Sequence, residues 1–138
     1  MALTKPRSTK GRAVLCARLA QEKLSHEILI LDLTEIESSP ADYFVIATVD
    51  SAAQLRAVAD SIEVTLKHMG FGFPRLEGKG ESSWVILDYF DVVVHLMLPE
   101  AREFYKLERL WGDAPAMTLT ESGATKAAPK ISKKVADV

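Results

Sequence analysis

The sequence predicts an α/β fold, a mixed five-stranded sheet flanked by helices in the order helix, strand, strand, helix, three strands, helix. Three observations carry this. Leu55, Val58, Ala59, Ile62, Leu66 and Met69 recur at helical spacing. Residues 43–49 (YFVIATV) are apolar at almost every position, as in a central strand covered on both faces. Residues 84–97 (WVILDYFDVVVHLM) hold two β-rich runs joined by a tight connection at Tyr89, Phe90 and Asp91.

Taken in order, Leu15, Cys16, Leu19, Ala20 and Leu24 mark an amphipathic first helix over 13–23. Residues 27–33 (EILILDL) form a short strand, and Ser38, Ser39 and Pro40 set a loop before the second strand. Ser51 and Gln54 make a capping box for the second helix, which Gly70 stops. A short third strand over 75–77 precedes a turn at Gly78, Lys79 and Gly80. The fourth and fifth strands form an antiparallel hairpin, and the crossover through the second helix allows a parallel pair, so the sheet is mixed. Pro99 at a first helical position, with Glu100 and Glu103 behind it, opens a last helix. Its stripe is Phe104, Leu107, Leu110 and Trp111, and Gly112 ends it.

At 138 residues and 48% hydrophobic content the chain fits one globular domain. The domain is expected at 13–112, between a basic extension at 1–12 and a tail at 113–138 whose Ala, Thr, Ser and Lys content reads as disordered. The apolar run at 92–98 is broken by His95 and far shorter than the ~20 residues of a membrane span. The N-terminus lacks the apolar stretch of a secretion signal, although a truncated transit peptide would look similar. Cys16, the only cysteine, excludes an internal disulfide and favours a reducing compartment.

The net charge of −2 conceals a division. Residues 13–112 hold 9 bases against 16 acids, so the expected folded part sits near −7. That balance argues against a groove binder of nucleic acid and leaves only weak RNA contacts from a basic tail. It suits a basic protein partner, steered by charge.

No phosphate-binding glycine loop follows a strand, and one cysteine with three scattered histidines cannot build a closed zinc site, so no cofactor is expected. His26 and His68 read as surface residues. The one acid–base group is Asp88, Asp91 and His95, which a hairpin could bring together for general base work or for a divalent ion. No nucleophile stands nearby unless Ser82 or Ser83 is recruited. The competing reading is a contact surface. Trp84, Ile86 and Asp88 share one strand face, as do Val93, His95 and Met97, while Val92, Val94, Leu96 and Leu98 form an apolar row that belongs to the core. Trp84 is either core or a binding anchor, and its face decides which.

Over roughly 15–111 the chain resembles the ribosomal silencing factor family, also called the Iojap family. The residues that carry the likeness are ILDL at 30–33, ADYFVIAT at 41–48, QLRAVADSIE at 54–63, LEG at 76–78, the whole of 84–97, and REFYKLERLWGDAP at 102–115. The resemblance implies a non-enzymatic protein with a nucleotidyltransferase-like fold lacking catalytic motifs. It implies binding to the large ribosomal subunit through its L-fourteen protein, which blocks joining of the small subunit and lowers translation when nutrients are scarce. The expected location is a bacterial cytoplasm, although relatives in organelles exist. On that reading Trp84, Ile86 and Met97 are apolar contacts, Glu77, Asp88 and Asp91 pair with partner bases, and Tyr89 and His95 lie at the rim. Two departures stand out: Phe90 where glycine is frequent in the family, and VDSAAQ at 49–54 in place of a Gly-Thr-Ser type loop. A homodimer through the same face is the further possibility.

Overall fold

The computed structural model describes residues 4–78 and 82–129. Its elements run α1 (Thr9–Glu22), β1 (His26–Asp32), β2 (Tyr43–Thr48), α2 (Ala52–His68), β3 (Arg75–Glu77), β4 (Trp84–Asp88), β5 (Val92–Met97), α3 (Pro99–Tyr105), α4 (Leu107–Leu110), β6 (Ala116–Leu119) and β7 (Thr125–Ala127). The sheet has seven strands, not five, in the order β3-β4-β5-β2-β1-β6-β7. Only β2 and β5 pair in parallel; every other pair is antiparallel.

Local chemistry explains the well-read elements. The Ser51 side chain accepts from the Gln54 N–H at the start of α2, and Gly70 follows its end with φ +90°. β2 is buried along its whole length, as a central strand flanked by β1 and β5 must be. Gly78 has φ +83°, and a Cβ there would lie 2.0 Å from the Trp84 carbonyl oxygen, so only glycine fits between β3 and β4. Lys79 and Gly80 of the expected turn lie outside the described residues.

Strand alternation sorts the core into two layers. Ile28, Ile30, Val45, Ala47, Val85, Leu87, Val92, Val94 and Leu96 face α1 and α2. Leu31, Phe44, Ile46, Val93 and Met97 pack on the other side against Ala101 of α3 and Leu107 of α4. Cys16 is fully buried on α1, where burial pushes its thiol up to about 12.

Four expectations are corrected. First, the first helix starts at Thr9, capped by Ser8, so the basic extension is partly helical; Leu24, with φ +65°, lies beyond its end and is 78% exposed. Second, the last helix is split, because Lys106 adopts φ +46° and a new turn begins at Leu107. The predicted stripe therefore breaks: Leu107 is buried, whereas Phe104 and Leu110 are exposed. Third, the stretch from 113 is not a disordered tail over its described part. β6 adds to β1 and carries β7, with Thr118 Oγ1 donating to the Ile28 carbonyl at 2.6 Å and Arg18 Nε to the Gly123 carbonyl at 2.7 Å. These strands, of four and three residues, are too short to declare themselves by a period, and the α1 side chains that hold them are distant in sequence. Fourth, the sheet face carrying His95 and Met97 is not open; α3 and α4 cover its centre.

Candidate docking surface

What remains uncovered on that face is its β3–β4 margin. Trp84 and Ile86 project from β4 and are half-buried, while Phe104 and Tyr105 from α3 are 78% and 52% exposed. The Trp84 and Tyr105 rings lie 4.9 Å apart, and Phe104 meets Tyr105 edge-on at the same centroid distance. The left-handed turn at Lys106 makes this possible. It lets α3 end with both aromatics outward and returns Leu107 to the core.

Trp84 is fixed from below. Its indole Nε1 donates to His95 Nδ1 at 3.1 Å, and the imidazole packs on Phe44 at a 58° tilt with centroids 4.6 Å apart; Phe44 also meets Trp111 edge-on. The accepting Nδ1 places the proton of the neutral ring on Nε2. Burial lowers the His95 pKa from 6.5 to about 4, so the ring is neutral at pH 7.

The expected contact residues therefore separate. Trp84, Ile86, Asp88 and Glu77 lie on the accessible margin, with Glu77 directly across from Ile86. His95 and Met97 are buried beneath it, at 5% and 0% exposure. Tyr89 is buried on the opposite face, among the side chains under α1 and α2, where burial raises its phenol pKa. Asp91 is held by the Arg12 guanidinium of α1. Asp88 uses its Oδ1 to accept the Phe90 N–H at 2.8 Å.

The proposed acid–base group does not assemble. Ile86, not Asp88, stands opposite His95, and Asp91 points to α1. Among the described residues no three His, Cys, Asp or Glu side chains converge as metal ligands. Two groups escaped the sequence reading. Tyr105 lies outside the predicted stripe and carried no signal of its own; the turn at Lys106 is what leaves it exposed. Arg102 is 7% exposed, with Nη1 donating to the Glu27 carbonyl and Thr48 Oγ1 and Nε to Glu108 Oε1. Its partners lie on β1, β2 and α4, so sequence spacing gave no sign of it.

The margin thus holds an aromatic platform beside the acids Glu77 and Asp88, with the Trp84 indole fixed by a buried histidine. Residues 6–137 match the family described as "Ribosomal silencing factor during starvation". The chain is 39% identical over 105 residues to the ribosomal silencing factor of Bacillus subtilis, covering 76% of this chain and 88% of that one. It is also 35% identical to the mouse protein named "Mitochondrial assembly of ribosomal large subunit protein 1", covering 71% of this chain and 43% of that one. A crystal structure of a Chromobacterium violaceum protein superposes with a TM-score of 0.71 at 35% identity, over 76% of this chain and 87% of that chain. The chain belongs to the ribosomal silencing factor family, whose role is translation regulation at the ribosome. Among the described residues no helix is long and apolar enough to cross a membrane.

Proposed function

We propose that the Trp84–Tyr105 margin docks the L-fourteen protein of the large ribosomal subunit, and that the bound domain sterically blocks the small subunit, repressing translation under nutrient limitation in the cytoplasm. The observation that carries this is the pair of half-buried Trp84 and exposed Tyr105, held by the buried His95 acceptor and flanked by Phe104. Rigid aromatics lose little freedom on binding and make strong anchors. Glu77 and Asp88 supply charge for a basic partner and steer its approach.

Co-sedimentation with purified large subunits tests the reading. Trp84→Ala and Tyr105→Ala should each cost ~2 kcal/mol, roughly a thirtyfold loss of affinity. Asp88→Lys should weaken binding mainly at low salt. If the folded variants pellet like wild type, docking lies elsewhere. The exposed Phe104 and Tyr105 also suit a homodimer through the same face; light scattering over a concentration series separates the two, since a dimer competing with the subunit would dissociate on dilution.

A further inference from the structure

The end of the sheet at the β4–β5 turn carries a second exposed aromatic group, which adjoins the Trp84–Tyr105 margin at Asp88. Phe73 follows α2 and is 71% exposed; Phe90, in the β4–β5 turn, is 87% exposed. They border a cleft of about 380 Å³ that Phe71, Arg75, Asp88 and Tyr89 also line, with Arg75 directly across from Asp88. Cations sit against these rings. Lys67 Nζ lies 4.9 Å from the Phe73 centroid, Lys5 Nζ 5.2 Å from that of Phe71, and Arg12 Cζ 5.0 Å from the same ring.

The start of the chain is basic and the rest of the domain acidic. Residues 4–18 contain five bases and no acid, whereas residues 19–112 contain 8 bases and 16 acids. The acids nearest the cleft are engaged: Asp91 with Arg12, and Asp88 with the Phe90 N–H. Exposed rings interleaved with lysine and arginine are what an unpaired nucleic-acid strand requires, π-faces for its bases and cations for its phosphates. Lys5, Arg12, Lys67 and Arg75 outnumber Asp88 and Asp91 around the cleft, a balance that favours an anionic ligand.

We propose that the surface formed by Phe73, Phe90, Lys67, Arg75 and the basic start of α1 binds a short single-stranded RNA segment without sequence specificity. The inference rests on the ribosome-docking reading for the source of that RNA, an unpaired segment of ribosomal RNA beside the docked protein. The binding chemistry itself is independent of Trp84.

Fluorescence anisotropy of the full chain with a labelled uridine dodecamer, at about 50 mM salt, tests it. The variant Phe73→Ala/Phe90→Gly removes two exposed rings without opening the core, and should weaken binding at least ~10-fold. Lys67→Gln/Arg75→Gln should flatten the dependence of log affinity on log salt by about 1.4, two phosphate contacts at ~0.7 each. Trp84→Ala should bind the dodecamer like wild type, so failure of the docking reading would show only in co-sedimentation. The proposal is overturned if the dodecamer does not bind, if a duplex or heparin binds as well and ignores ring removal, or if Trp84→Ala abolishes the signal.

Discussion

The indole Nε1 of Trp84 and Nδ1 of His95 are joined by a 3.1 Å hydrogen bond that couples a half-buried ring to a buried base. The imidazole is needed as an acceptor, and its surroundings keep it one. With a folded pKa of about 4 against 6.5 for the free side chain, the unfolded chain takes up the proton first as pH falls. The neutral ring's contribution is thus complete above pH 6.5 and lost progressively toward pH 4, amounting to about 3 kcal/mol. Urea denaturation across this range should show that loss in wild type, and His95→Gln should remove it from the profile. Parallel profiles would mean that His95 does not drive the acid sensitivity.

Arg102 is the buried cation that ties α3 to the sheet, through Thr48 Oγ1 at 2.8 Å, the Glu27 carbonyl at 2.9 Å and Glu108 at 3.2 Å. Removing one partner of a buried pair leaves the other uncompensated. Arg102→Ala should therefore cost about 3–5 kcal/mol, and Arg102→Lys should recover only part, because an ammonium cannot reproduce the fork. Chemical denaturation gives the size. A loss below about 1 kcal/mol would show that the network is incidental.

Much of this was legible in the sequence because its determinants are local. Helix α2 declares itself by a capping box and one apolar stripe, and strand parity correctly paired Trp84 with Ile86 and Val85 with Leu87. Parity, however, says which residues share a face and not what covers it. Tyr89 follows Val85 and Leu87 by alternation into the layer under α1 and α2, so its place at the rim was implied by the resemblance and not by parity. Nothing near His95 in sequence reveals its packing against Phe44, fifty-one positions earlier, so its burial is not legible there. The hairpin of β6 and β7 was invisible for a related reason, its support coming from Arg18 and Gln21 on α1.

That hairpin should be structural rather than dispensable. Deleting residues 116–138 removes the Thr118 bond to Ile28, frees Arg18 and Gln21, uncovers part of Met117 and Leu119 packing, and turns β1 into an open edge. The cost should be about 4 kcal/mol, from three hydrogen bonds near 1 kcal/mol each and a little apolar burial. An unprotected edge also invites association. Denaturation and light scattering of the truncated chain check both effects; a monomer within about 1 kcal/mol of wild type would show that β6 and β7 rest on the domain without supporting it.

Phe90 offers the opposite case, a residue whose removal should stabilise. At φ +78° a side chain is strained by about 1–2 kcal/mol, yet with 87% exposure Phe90 gains little burial in return. Glycine relieves the strain but gives the unfolded chain about 0.5–1 kcal/mol of extra entropy. Phe90→Gly should thus gain about 0.5–1 kcal/mol and raise Tm by roughly 2–4 °C. The Asp88 bond to the backbone N–H at position 90 does not depend on the ring and should persist. A more stable variant that binds the uridine dodecamer less well would show an aromatic ring held in a costly conformation for contact rather than for folding. Thermal denaturation decides the first half, and a lowered Tm would mean that the ring supports the turn.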